Sequence, residues 1–397
     1  MDTVPRTAIG LSLLLTLLAL GGCVSKQVKR VNEVQASQAQ QELPVEQLLE
    51  VTVVRFDPGV PETLKEQQEQ FIYPAVREAE ANYVPQLLRQ TLDGTGYWGT
   101  VRVLPEATPA SMLVIGGKIL HSDGELLRLR VHARDASGRQ WLDREYEEQA
   151  AEISYTEKSA RGSDPFQDLY SRVANDLLQV RQKLQADDLL QVRRVAQLRF
   201  AADLAPSRFE GYLKQDKDGR YQVLRLPPEN DPIVQSIERI RLRDDALVDT
   251  LDAHYAAFRH NMTPSYQEWR RASYTEAVAL RELERQALWR KIAGAAAVVA
   301  GAVALGSADN AGTAAIGQIG IIGGVGIFAS GMQKGKEAEL HAESLKELNA
   351  SINDDVSPRV VELDGKTVTL TGSAQDQYDQ WREMLQARYA AEIGTTP

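Results

Sequence analysis

Along residues 49–187 the spacing of apolar residues switches between the two-residue repeat of a strand and the longer repeat of a helix, and the order of the switches restricts the chain to a layered fold. Val51-Thr-Val-Val-Arg-Phe56 is a β-branched run closed by Asp57-Pro58-Gly59, a strand running into a turn. A helical stretch from about Pro61 to Thr91 follows, in which Pro74 and Pro85 are expected to kink or restart the helix. Strands are expected at Trp98–Leu104, Met112–Leu120, Leu126–Ala133 and Gln140–Tyr146. Ser122-Asp123-Gly124 and Asp135-Ala136-Ser137-Gly138 suit hairpin turns between the last three. From Pro165 a helix carries Phe166, Leu169, Val173, Leu177, Val180 and Leu184 on one stripe. Strand, helix, strand, hairpin strands and helix make a small α/β layer domain over residues 49–187.

Residues 188–291 read as a mainly helical domain. Gly219-Arg-Tyr-Gln-Val-Leu-Arg-Leu-Pro227-Pro228 is a short strand entering a loop, and Pro232 starts a helix at its favoured first turn. Ile233, Ile237, Ile240, Leu247, Leu251 and Phe258 continue at helical spacing. A second helix, Ser265 to Ile292, carries Trp269, Leu280, Leu283 and Trp289, and a break near Asn261-Met-Thr-Pro264 would fold the two into a helical hairpin. In residues 333–397 a polar helix (Glu337–Ile352) precedes a β-hairpin, Arg359–Leu363 and Thr367–Thr371 around Asp364-Gly365. A closing helix, Gln375–Ala391, holds Tyr378, Trp381, Leu385 and Tyr389. The fold class is therefore α+β.

Between Ile292 and Met332 lie 41 residues of which 10 are Gly and 12 Ala, with Asp309 the only charge. The polar Ser307-Ala-Asp309-Asn310 divides them into arms of about 15 and 22 residues. At about 1.5 Å per residue the first arm reaches about 22 Å, short of a bilayer core of about 30 Å. Gly294, Gly301, Gly317, Gly320 and Gly324 are the candidate close-approach positions, with Gly320 and Gly324 in small-xxx-small spacing. Arg290 and Lys291 flank one end, Lys334 and Lys336 the other. The segment suits a glycine-zipper hairpin that sits in a bilayer or packs against copies of itself, and equally a hairpin buried in a helical body.

The amino terminus carries an address. After Arg6 an apolar run from Ile9 to Leu20 precedes two glycines and Cys23, the layout of a secretory signal too short to span a bilayer. Cys23 is the single cysteine, so no internal disulfide can form and the fold must be held by packing. Leu20-Gly21-Gly22-Cys23 resembles the lipobox of bacterial lipoproteins. That resemblance implies removal of residues 1–22, a diacylglycerol thioether and an N-acyl chain on Cys23, and no other cofactor. Val24, in place of Asp, implies sorting to the periplasmic face of the outer membrane. Residues 23–48, rich in Gln, Glu, Ser and Val, read as a tether from membrane to body.

Two further resemblances bear on the body. Val51–Phe56, Leu113-Val-Ile-Gly-Gly-Lys118-Ile-Leu, Leu129–Ala133, Asp135–Gly138 leading to Trp141, Phe166-Gln-Asp168-Leu-Tyr and Ala174-Asn-Asp176-Leu-Leu resemble a group of envelope domains. These are the amino-terminal domain of TolB, the curli-secretion lipoprotein and the lipoproteins that activate penicillin-binding proteins. The likeness implies protein binding or ring assembly without chemistry. The charged stretch Asp143–Arg161 lacks the alternation of a membrane-inserting hairpin, which disfavours a curli-type channel. Val360-Val-Glu-Leu-Asp-Gly-Lys-Thr-Val-Thr-Leu-Thr-Gly372-Ser is similar to the central hairpin of BON domains, which implies phospholipid or partner binding.

A net charge of −10, kept after removal of residues 1–22, argues against nucleic-acid binding. His121, His132, His254, His260 and His341 are not spaced for a zinc site, and no nucleophile elbow, phosphate loop or dinucleotide fingerprint is present. Asp244, Asp245, Asp249 and Asp252, interleaved with Arg241 and Arg243, read as a solvated acidic face and not a cation site. Gly116-Gly117 within a strand points to a bulge or close packing. The expectation is a non-enzymatic envelope lipoprotein that binds or assembles envelope proteins, with possible homo-oligomers. The alternatives are a membrane-active or self-associating protein working through the Gly/Ala hairpin, and an enzyme on envelope polymers, which would need only two carboxylates and leave no linear signature.

Overall fold

The computed structural model describes residues 34–70, 72–155, 164–228, 230–305, 346, 359–363 and 366–392. Five strands, β1 (Val51–Val54), β2 (Val101–Leu104), β3 (Leu113–Ser122), β4 (Leu126–Asp135) and β5 (Gln140–Gln149), form one mixed sheet in the order β2-β1-β3-β4-β5. β1 runs parallel to both β2 and β3, and β3, β4 and β5 are antiparallel in succession. Parallel neighbours need a long crossover and antiparallel ones only a turn. Helices α1 (Leu64–Glu69) and α2 (Pro74–Asp93) accordingly lie between β1 and β2. Gly124 and Gly138, at φ +83° and +87°, close the two hairpins in a backbone region that side chains rarely adopt.

β4 shows how the sequence builds one buried face. Leu127, Leu129, Val131 and Ala133 are buried while Arg128, Arg130, His132 and Arg134 are exposed. Helix α2 packs on β1, β2 and β3, and α3 (Gln167–Lys183) packs on β5, covering the apolar face. On the other face Arg128 pairs with Glu147 and Arg130 with Asp143 across β4 and β5. The two strand glycines are close-approach sites, as expected. A Cβ on Gly117 would lie 2.6 Å from the Phe56 ring, and one on Gly116 would lie 2.5 Å from the His132 ring.

Pro74 starts α2, but Pro85 does not interrupt it. A proline inside a helix leaves the carbonyl four residues earlier without its donor. Here that carbonyl, Ala81 O, accepts the N–H of Phe56, two residues past β1, at 3.0 Å, so the chain leaving the sheet fills the vacancy.

The helical hairpin expected at Pro264 is also replaced. After α4 (Ala186–Leu204) and a small hairpin, β6 (Leu213–Gln215) and β7 (Tyr221–Val223), a single helix α5 runs from Pro232 to Leu305, 74 residues, through Pro264. At about 1.5 Å per residue it is about 110 Å long. Leu247, Leu251, Tyr255, Phe258, Met262, Tyr266 and Trp269 are all buried along one stripe that crosses the proline. An interior proline costs about 3 kcal/mol, whereas each large apolar side chain buried contributes about 1.5–3 kcal/mol. The residues beyond Pro264 therefore keep the helix continuous along its docking surface.

The hairpin β8 (Arg359–Leu363) and β9 (Lys366–Leu370) leads into α6 (Ala374–Glu392), whose Tyr378, Trp381, Leu385 and Tyr389 are buried against α4 and α5. One hydrophobic cluster includes residues from Leu49 to Tyr389. The helices beyond residue 188 thus share a core with the sheet domain.

The tether reading of residues 23–48 needs shortening. From Gln35 the chain is hydrogen-bonded to the body. Asn175 donates to Gln35 O at 2.9 Å and accepts from Ser37 N–H at 2.8 Å, and Ala39 N–H donates to Thr95 O at 2.8 Å. Arg181 and Arg193 then hold the carbonyls of Gln47, Val45 and Leu48. Residues 35–48 are a strap over α3 and α4.

Candidate functional site

Three of the candidate glycines, Gly317, Gly320 and Gly324, lie outside the described residues, as does Cys23. Gly294 and Gly301 fall within α5, toward its carboxyl-terminal end. Seven residues apart, they stand at register positions on one side of the helix. The described polar residues collect instead along the seam where α5 meets the sheet domain.

The acidic row of α5 is solvated only in part, which corrects the sequence reading: Asp249 is exposed, but Asp244 and Asp252 are buried. Asp252 is buried, accepts the Val103 N–H at 2.7 Å and pairs with Arg89 at 3.0 Å. It thereby occupies the outer edge of β2, which would otherwise offer unpaired groups. Asp249 holds Arg102 at 2.6 Å, and Arg241 bridges Glu50 and Asp245. Burial raises the Asp252 carboxyl above its ordinary value, although the Val103 bond and Arg89 pull the other way. Asp244 is buried with no ion pair among the described residues: burial, then repulsion from Asp245, pushes it up to about 7, against Arg382, Trp381 and Arg241.

Farther along the seam, α2, β3 and α5 meet at Glu80, which is completely buried. Its Oε1 accepts the Ser122 hydroxyl at 2.5 Å and the Tyr266 phenol at 2.6 Å, and Arg77 stands 3.9 Å from Oε2. Burial raises the Glu80 carboxyl, partly offset by Arg77 and the two hydroxyl bonds. Arg270, 1 % exposed, lies 4.4 Å from the Tyr266 ring centre and pairs with Asp164 at 2.8 Å. Burial opposes its charge, but Asp164 and the surrounding tyrosines hold the guanidinium well above its ordinary value. Arrays of this kind fix one docking geometry because each member is costly to leave unpaired.

The seam ends at the β3–β4 turn. Arg281 reaches both Asp123 and Glu125, and His121 bonds Asp123 at 2.7 Å. Burial works against the Asp123 charge, yet His121, the Leu126 N–H and Arg281 keep its carboxyl low. The turn glycine admits the helix: a Cβ on Gly124 would lie 2.5 Å from Arg270 O. Beyond Arg281 the helix continues to Leu305, about 36 Å at about 1.5 Å per residue.

Among the described residues no group of His, Cys, Asp and Glu could hold a metal ion, and no helix is long and apolar enough to cross a membrane. His132 covers Gly116, and His254 stands edge-on to Tyr255. A cavity of about 160 Å³ lies between the β2–β3 loop, α5 and α6, walled by Leu104, Leu251, Thr108 and Tyr378 with Glu106 and Asp379 at its mouth.

Sequence reasoning passed over Glu80, Asp164 and Arg270. The available signal was a charged residue inside an apolar stripe, Glu80 between Val76 and Tyr83, and Arg270 beside Trp269. A search of protein-family models, of curated proteins and of solved structures each returns no match for this chain.

Proposed function

We propose that this chain is a non-enzymatic lipoprotein of the bacterial cell envelope, anchored through lipid on Cys23 at the periplasmic face of the outer membrane, whose body binds or assembles other envelope proteins. The observation that carries the reading is the run Leu20-Gly21-Gly22-Cys23, in which the one thiol of 397 residues stands directly behind an apolar signal. The strap supports it. With residues from Gln35 bonded to the body, residues 24–34 alone connect it to the anchor, a reach of about 38 Å when extended. An anchored body would then have its strap within about 40 Å of the bilayer, at a working distance for membrane-associated partners.

A second reading rests on α5. The same helix that is clamped to the sheet domain by Asp252, Tyr266 and Arg281 runs without interruption into the uncharged residues Ile292–Leu305. A Gly/Ala arm continuous with the docked helix suits self-association or a second contact with lipid. Two membrane contacts would hold the protein more firmly than one chain set.

The test is fractionation combined with in-cell crosslinking. Wild type should sediment with outer membrane and crosslink to defined envelope proteins, and Cys23→Ser should shift to the soluble periplasm. Cys23→Ser remaining with the membrane would overturn lipid anchoring. Deletion of residues 292–332 with unchanged membrane behaviour and self-association would exclude the second reading.

A further inference from the structure

Asp244 differs from the other acids of α5. Asp245, Asp249 and Asp252 each reach an arginine, whereas the Asp244 side chain is 2 % exposed and its Oδ1 accepts no hydrogen bond. It lies where α6 docks. The groups facing it are Asp245 and Arg241 on α5, and Trp381, Tyr378 and Arg382 on α6. Both cations are committed elsewhere: Arg241 to Glu50 and Asp245, and Arg382 to Asp203 of α4 at 2.5 Å. An ionised carboxylate at this place loses its water with no counter-ion of its own, so burial selects the protonated acid.

We propose that Asp244 is a proton-operated latch between α5 and the closing helix α6, tight when the carboxyl is protonated and loosened when it ionises. Nothing in the envelope-lipoprotein reading requires it, and it stands or falls separately. The docked carboxyl, at about 7, sits above the ordinary 3.8, toward which it falls when α6 lifts away and the repulsion from Asp245 remains. The docked state therefore binds the extra proton between those values. Docking weakens as pH rises through that window, approaching tenfold per unit, and levels off above it. Between pH 5 and pH 8 the loss is roughly 50- to 100-fold. The other packing of α6, through Leu385 and Tyr389, carries no such dependence.

Hydrogen exchange of the full chain tests the latch. Protection of α6 amides, corrected for intrinsic exchange, should fall roughly 50- to 100-fold from pH 5 to pH 8 in wild type. In Asp244→Asn it should stay flat, at or above the wild-type level at pH 8. A merely structural Asp244 would change the level of protection and leave the pH slope; parallel slopes in the two proteins overturn the proposal. Should the variant fail to fold, the carboxyl ¹³C titration of Asp244 in wild type decides. A midpoint near 7 supports the latch, and one below about 5 overturns it.

Discussion

Replacing Glu80 by alanine and by glutamine should separate sharply. Oε1 of Glu80 accepts both the Ser122 and Tyr266 hydroxyls, and Oε2, facing Arg77 at 3.9 Å, accepts no hydrogen bond. Alanine strands two buried hydroxyls and a buried guanidinium. At about 1–3 kcal/mol for each group left unsatisfied, with partial relief from water entering the space, the expected loss is about 3–5 kcal/mol. That is a large share of the 5–15 kcal/mol typical of a folded domain. Glutamine keeps the oxygen that accepts both hydroxyls but turns an amide toward Arg77 in place of Oε2, so its expected cost is about 1–2 kcal/mol, well below that of alanine. The two also differ in pH dependence. Because the folded carboxyl is raised above its ordinary 4.5, it contributes a decline in wild-type stability as pH rises from there toward the folded value, and Glu80→Gln should make the decline shallower, leaving the share carried by Asp244 and Asp252. Urea unfolding of the lipid-free Cys23→Ser form, followed by tryptophan fluorescence between pH 4 and 8, measures both. Equal destabilisation by alanine and glutamine would refute the idea that Oε1 organises the seam.

Other outcomes follow from the same contacts. Gly124→Ala combines positive-φ strain with a Cβ driven into the α5 backbone, so thermal unfolding should show a loss of about 2–5 kcal/mol together with faster exchange of α5 amides near Tyr274. Asp252→Ala frees the Val103 N–H and Arg89, and should cost about 1–3 kcal/mol in urea unfolding. Pro85→Ala should be nearly neutral by the same assay, within about 1 kcal/mol, although a proline in a helix interior ordinarily costs about 3 kcal/mol. The new N–H would have to share Ala81 O with Phe56.

What the sequence made legible was local. The alternation of β4 and the stripe of α3 are written in neighbouring residues, and both elements formed within a residue or two of expectation. Pro85 and Pro264 misled because their consequences are settled at a distance, by the Phe56 amide in one case and by the docking surface for Tyr266 and Trp269 in the other. The acids of α5 looked solvated because Arg89 and Arg102 lie some 150 residues away in the chain. Glu80 and Arg270 were hidden for the same reason: a buried charge is legible only together with its partners. Of the candidate site residues, Gly294 and Gly301 fall on the far part of α5, and Cys23 rests on its sequence neighbours alone.

The most direct measurement of the central claim is the mass of the amino-terminal peptide from protein extracted out of membranes with detergent. The expected peptide begins at Cys23 and carries a diacylglycerol thioether and an amide-linked acyl chain, with residues 1–22 gone. A peptide retaining Met1–Gly22, or one beginning at an unmodified Cys23, would contradict lipid anchoring and with it the placement of this body at the envelope.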